Sequence, residues 1–396
     1  MPAMVSAEQL EIRGMARDFA AGELRPHTAE WDAARELPGD LYPKLAELGF
    51  LGMRVPEEHG GLALDMVTYL LALESLSWGD AAAALGVAIH NGPVTQLLLE
   101  RGTDDQRARW LPPMATGEML GVFALSEADA GSDPGALALR AEKDGDGWCL
   151  TGEKRWVTNG DRGGLLVVFA RTAGESGDRE GITAFLVPRD AAGISVTRRE
   201  RTLGLSASET VGLAFQETPV PGDAVLGEEG NGYPLAMEAL IPGRLGIAAQ
   251  ALGIAQAAYE HALAYAGERE QFGRSLTRFG AIREKLAGMA VRIAGARAHL
   301  LGVARRMDPE GGGGDSLTLP SSLRAGAAMA KIMASEAAMW VTDEAVQIFG
   351  GYGYMRDYPV EKLMRDAKGT EIYEGSNEVL RNLVAADAVR EAGGES

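Results

Sequence analysis

Five short runs decide the fold: GWCLTGEKRWVTNG (147–160), LLVVFARTA (165–173), ITAFLVPRD (182–190), ISVTRRER (194–201) and VGLAFQETPVP (211–221). They are rich in β-branched and aromatic residues and are bounded by Gly, Asp and Pro, the composition of strands closed by turns. No helical pattern separates them, so an antiparallel sheet or barrel is expected and a doubly wound parallel sheet is disfavoured.

The flanks read differently. Upstream, Ser6 and Gln9 fit a capping box, followed by Ile12, Met15, Ala16 and Phe19 at helical spacing. DLYPKLAELGF (40–50), DMVTYLLALESLS (65–77) and AAAALGVAIHNGPVTQLLLERG (81–102) continue the pattern, with Gly102 as a helix stop. Downstream come four long helical patterns, 234–266, 276–307, 321–349 and 359–390, which predict a four-helix bundle. MDPEGGGGDSLTLPSS (307–322) between the second and third reads as a mobile surface loop; no lysine follows its glycines, so it is no phosphate-binding P-loop. The expected class is therefore α+β multidomain: a helical unit over 1–120, a central antiparallel β-barrel or sheet over 121–230, and a C-terminal bundle over 231–396.

Composition narrows function. A net charge of −18 argues against a nucleic-acid or anionic membrane surface. The single cysteine, Cys149, permits no internal disulfide, and the five histidines (27, 59, 90, 261, 299) show no metal-ligand spacing. LGIAAQALGIAQAAYEHALAYA (245–266) is broken by Gln, Glu and His and reads as a buried bundle helix, not a membrane span. The first residues lack a basic start and apolar run, so no signal peptide and a cytoplasmic location are expected. GGYGYMRD (350–357) fails as a dinucleotide loop: Arg356 stands in place of the third glycine and the preceding segment reads as helix.

Four stretches, in order, resemble the acyl-CoA dehydrogenase family: ALSEADAGSDPGA (124–136), KRWVTNG (154–160), EREQFGRSLTRFGAIREKLAGM (268–289) and QIFGGYGYMRDYPVEKLMRDAKGTEIYEGSNEVLR (347–381). The helix–β–bundle order matches that family's three-domain fold. The resemblance implies FAD as cofactor and removal of two hydrogens from the α and β carbons of an acyl-CoA thioester. The catalytic base of the Tyr-Glu-Gly motif falls on Glu374, and a buried carboxylate with a raised pKa suits that task. Part of the family carries its base just before an arginine of the first bundle helix. Here that place, in LIPGRLGIA (240–248), is Gly243, and glycine cannot act as a base.

By the same resemblance, Phe123, Leu125, Ser126, Gly131 and Ser132 line the flavin, with Ser132 near the CoA moiety. Trp156, Val157 and Thr158 cover the ring and its N5. Arg269, Gln271 and Phe272 hold the pyrophosphate and adenine, and an arginine fork suits a diphosphate. Gln347, Gly350 and Gly351 reach the FAD of a neighbouring subunit, which implies a homodimer or homotetramer. Ser376 and Glu378 touch the adenosine. Arg244, Tyr373 and Gly375 join Ser132 at the substrate, where Gly375 lets the thioester carbonyl approach backbone N–H groups. An electron-transferring flavoprotein is the implied acceptor; oxidase chemistry with O₂ is the other reading. Three positions depart from the family pattern: Ile241 replaces a frequent aspartate, Asp129 enters the first signature, and Thr202 stands where lysine is common. Family drift accounts for them, and so does an acyl group carried on a carrier protein, which lacks the 3′-phosphate and needs fewer cations.

Overall fold

The computed structural model describes residues 5–308 and 321–393. Helices α1 (Ala7–Phe19), α2 (Thr28–Ala34), α3 (Leu41–Glu47), α4 (Met66–Gly79), α5 (Ala81–Ile89), α6 (Thr95–Arg101) and α7 (Asp104–Ala115) open the chain. The Ser6–Gln9 box forms as expected: Gln9 N donates to Ser6 Oγ at 3.1 Å, and Ser6 N to Gln9 Oε1 at 2.9 Å. Every residue of α4 is buried. Its apolar pattern therefore runs all round instead of forming one stripe. Asp80 caps α5 by accepting from Ala82 N and Ala83 N, both at 2.9 Å.

Next come β1 (Gly121–Ala124), β2 (Arg140–Asp144), β3 (Gly147–Thr158), β4 (Leu165–Arg171), β5 (Ile182–Pro188), β6 (Ile194–Arg199), β7 (Thr210–Val220) and β8 (Val225–Leu226). They form one sheet in the order β6-β7-β3-β2-β4-β5-β8, with β1 also on β4. β4 is buried along its length, and it is apolar from Leu165 to Ala170 because both its faces are covered. Leu165, Val167 and Phe169 join the large core shared with the helices, while Leu166, Val168 and Ala170 join a second core within the β domain.

The remaining elements are α8 (Gly232–Glu268), a small hairpin of β9 (Glu270–Gln271) and β10 (Arg274–Ser275), then α9 (Gly280–Met307), α10 (Ser321–Phe349), α11 (Pro359–Thr370) and α12 (Asn377–Glu391). The stretch 245–266 lies inside α8, where most of its residues are buried in the protein. Ala81–Arg101 and Gly280–Met307 are long and apolar enough to cross a membrane, yet 89% of the first window and 44% of the second are buried inside the protein.

The helical, β and helical order is as the sequence predicts, with three differences in detail. The sheet is open, with β6 and β8 at its edges, so it is no barrel. It is not wholly antiparallel: β1 pairs β4 in parallel from Gly121↔Leu165 to Ala124↔Val168, and β2 meets β4 in parallel at Arg140↔Arg171. β1 arrives directly from the helical unit, not through a hairpin, so no turn signal announced its direction. Finally, the fourth helical pattern, 359–390, is two helices. Residues 371–376 break it, with Glu374 at φ 55° and Gly375 at φ 93°, a backbone no α-helix accepts. Residues 309–320 of the glycine-rich loop lie outside the described residues.

A buried cation joins the three units. Lys362 on α11 donates to Asp366 Oδ2 at 2.7 Å and to Asp80 Oδ2, the α5 cap, at 3.1 Å. Asp366 Oδ1 also accepts from Leu205 N, in the loop before β7. That loop crosses α11 so closely that a Cβ on Gly204 would lie 2.2 Å from the Arg365 carbonyl. Burial alone would discharge Lys362, but the Asp366 and Asp80 carboxylates outweigh it and its pKa is raised. Replacing Lys362 with Met leaves two buried carboxylates uncompensated. Lys362→Met should cost about 3–5 kcal/mol, read as a large fall in Tm by calorimetry; an unchanged Tm would contradict this account of how the units are joined.

Candidate active site

Glu374 projects from the turn between α11 and α12. The turn closes through Ile372 N to Gly369 O (2.9 Å) and Asn377 N to Glu371 O (3.0 Å). Ser376, not Glu374, is the N-cap of α12 and accepts from Val379 N, so the Glu374 carboxyl does not serve as a helix cap. Glu374 as a residue is half-buried, yet its Oε2 is shut off from solvent and has no hydrogen-bond partner. Its carboxyl lies against Gly243 of α8: a Cβ there would stand 2.5 Å from Oε2. The position that holds the base in part of the family therefore abuts the same carboxyl. Burial raises the Glu374 pKa to about 7, against the opposing pull of Arg244 and Lys331.

The two cations hold the backbone of the turn and leave the carboxyl free. Arg244 Nε donates to Glu374 O at 3.3 Å. Lys331 Nζ, on α10, donates to Gly375 O and Asn377 Oδ1, both at 2.9 Å. Asn377 Nδ2 then donates to Ser335 Oγ at 3.0 Å. Tyr373 is tied by its hydroxyl to Gln250 Oε1 at 2.9 Å, and Gln250 Nε2 donates to Ala81 O at 2.8 Å. Sequence reasoning found Arg244, Tyr373 and Gly375 but missed Lys331, Ser335, Gln250 and Asn377. A signal existed for one pair: Lys331 and Ser335 stand four apart on the apolar face of an alanine-rich helix.

The first two family-like stretches are stitched together. Arg155 N donates to Ser126 O at 2.9 Å. Lys154 Nζ, fully buried, donates to Leu125 O at 3.0 Å and Glu127 Oε1 at 2.7 Å. Glu127 also accepts from Ala138 N (2.6 Å) and Leu139 N (3.0 Å). Burial lowers the Lys154 pKa to about 8. The β3–β7 register slips between Lys154 and Val157. This bulge buries both of those side chains and leaves Trp156 at φ 55° and 53% exposed. Leu125 and Val157 lie in the core, so Val157 has only its backbone to offer a ligand. Phe123, Ser126 and Thr158 are half-buried; Gly131 and Ser132 are exposed.

A second group meets at the other sequence-assigned stretches. Arg269, Gln271, Phe349, Gly350, Gly351 and Tyr352 line a cleft of about 450 Å³. Arg269 stacks 5.5 Å from the Tyr352 ring and has no ion-pair partner among the described residues. A Cβ on Gly350 or Gly351 would meet nothing within 4 Å. Phe272 stands 93% exposed at the hairpin tip, and Gln347 and Glu378 are exposed. An uncompensated guanidinium beside two open glycines fits a diphosphate, and an exposed indole fits a flat ring, so these residues suit a flavin dinucleotide. A larger cleft of about 590 Å³, lined by Arg109, Trp110, Asp161 and Arg189 among others, contains none of the assigned residues.

Comparison with known proteins agrees along the whole chain. The family models for the N-terminal, middle and C-terminal domains of acyl-CoA dehydrogenase match residues 6–118, 122–218 and 230–389. An acyl-CoA dehydrogenase of Bacillus subtilis (strain 168) is 43% identical over 96% of this chain and 98% of its own. The mitochondrial short-chain specific acyl-CoA dehydrogenase of Bos taurus is 42% identical over 96% and 89%. Butyryl-CoA dehydrogenase from Megasphaera elsdenii superposes with a TM-score of 0.91 at 37% identity, covering 98% of this chain and 99% of that one. A glutaryl-CoA dehydrogenase from Mycobacterium smegmatis, solved in complex with FADH2, gives 0.89 at 28% identity over 98% and 96%. The chain belongs to the acyl-CoA dehydrogenase family and is an oxidoreductase.

Proposed function

We propose that the protein is an FAD-dependent dehydrogenase that converts a short-chain acyl-CoA to its 2-enoyl thioester, with Glu374 as catalytic base. The observation that carries this reading is the buried, unpartnered Oε2 of Glu374, held against Gly243 on a turn of left-handed backbone. When bound, FAD supplies the acceptor for the hydride that leaves the β carbon. Glu374 takes the α proton, so the substrate loses one proton and one hydride and gains a carbon–carbon double bond. Trp156, Ser126 and Thr158 would hold the ring, and Arg269 with Gly350 and Gly351 the diphosphate; Arg269, Gln271, Gln347 and Phe272 would also suit a site shared between subunits of a homodimer or homotetramer. An electron-transferring flavoprotein is the proposed electron acceptor.

A short acyl group is supported by the packing behind the base. Gly246, three residues along α8 from Gly243, faces Tyr69 and Leu73: a Cβ on it would lie 3.2 Å from Tyr69 Oη and 3.6 Å from Leu73 Cδ2. The names of the Bos taurus and Megasphaera elsdenii relatives point the same way. Ile241 is buried in the core, so its replacement of a polar residue is a change in packing and gives no ground for a carrier-protein substrate.

Four outcomes test this reading. Glu374→Gln should retain bound flavin but lose about a thousandfold in turnover of butyryl-CoA with an artificial acceptor; full activity would refute the assignment. Because the base must be ionised, kcat/KM should rise with pH through a limb near 7. The same shift has a stability sign. A carboxyl whose folded pKa lies above its unfolded value stabilises the fold below the unfolded pKa, and that contribution is lost as pH rises through about 7. Glu374→Gln should therefore raise Tm relative to the parent at pH 8 and leave it unchanged at pH 4. Gly243→Ala, by displacing the carboxyl, should lower kcat/KM about tenfold to a hundredfold with little change in Tm.

A further inference from the structure

Lys331 is fully buried on α10, among alanines, and no carboxylate forms an ion pair with it among the described residues. A buried ammonium is costly unless its donors are satisfied. Its acceptors here are both on the turn that carries Glu374: the carbonyl of Gly375 and the side chain of Asn377, each at 2.9 Å. Glu374 and Gly375 are consecutive left-handed residues. For Glu374 that backbone costs about 1–2 kcal/mol, so it persists only when fixed from outside. Arg244 fixes the Glu374 carbonyl from α8, and Lys331 fixes the next carbonyl from α10. Ser335, one turn further along α10, holds Asn377 in place to receive Lys331.

We propose that Lys331 is the positioning residue of the catalytic carboxylate: its ammonium pins the 374–377 turn in its left-handed form and supplies the positive field that lets Glu374 ionise while buried. This rests on Glu374 being the base. The charged and titratable groups around the pair are Arg244 on α8, Glu371 and Tyr373 in the turn, Glu378 on α12 and Tyr69 on α4. Of these, only Arg244 shares Lys331's sign. Burial draws the Lys331 pKa down, while the Glu374, Glu371 and Glu378 carboxylates pull it back up and so favour the ammonium. A residue that merely filled space would act through Tm alone.

The test uses flavin-loaded enzyme and butyryl-CoA, comparing Lys331→Met, Lys331→Arg and the parent. Without the charge, the acid limb of kcat/KM should move to higher pH by about one unit. At pH 7, kcat should fall about tenfold or more while KM changes little. Lys331→Arg keeps the charge and should restore the limb. Hydrogen–deuterium exchange over residues 371–379 supplies a readout independent of turnover: it should accelerate in Lys331→Met and stay near the parent in Lys331→Arg. A Lys331→Met enzyme with the parent's limb and exchange overturns the proposal. If Lys331→Met does not fold, Lys331→Gln decides, since it keeps a donor without charge; a shifted limb supports the proposal and a parental limb overturns it. An inactive Glu374→Gln beside an unshifted Lys331 variant sinks this proposal alone, whereas an active Glu374→Gln sinks the base assignment itself.

Discussion

On the proposed function the Glu374 carboxyl accepts a proton, and such a carboxyl cannot be held by its own oxygens. An ion pair made directly to Glu374 would occupy the lone pair that the reaction needs and would depress the pKa. The fold meets this constraint by gripping the backbone on either side. Arg244 and Lys331 bind the carbonyls of residues 374 and 375, Tyr373 is tied to Gln250, and Gly243 offers a flat wall with no side chain. The positive charge is close enough to moderate the cost of burial and far enough to leave Oε2 unpartnered.

That grip needs elements from distant parts of the chain in fixed register. α8 supplies Arg244, Gly243 and Gln250; α10 supplies Lys331 and Ser335; α11 leads into the turn. α11 is in turn fixed by Lys362 to Asp80 and, through Asp366, to the loop before β7. The β domain carries Trp156 on a bulge stitched to the 125–139 stretch by Lys154 and Glu127. Three buried lysines, Lys154, Lys331 and Lys362, thus serve at joints between stretches of chain, and each has its acceptors inside the protein.

Much of this was legible in residue order. Helical spacing located α1, α4 and the bundle helices, and short β-branched runs located the sheet. The Tyr-Glu-Gly motif marked Glu374 although nothing local shows that its carboxyl is buried. Other features were illegible for physical reasons. β1 is four residues long and pairs in parallel, so neither a hairpin turn nor a sustained alternation betrays its direction. The break at 371–376 hides inside an otherwise helical pattern because only two residues leave the helical backbone with positive φ. Lys331 and Lys154 look like surface lysines until their partners, far away in sequence, close over them.

The sequence by itself determined the helical, β and helical class and the family, and it singled out the carboxyl proposed as the base, because periodicity and short motifs are local properties of residue order. Only the tertiary structure decided that this carboxyl is buried and unpartnered, that its turn is left-handed, and which cations hold it. Burial and field strength are sums over atoms brought together from separate helices, and no single stretch of chain contains that sum.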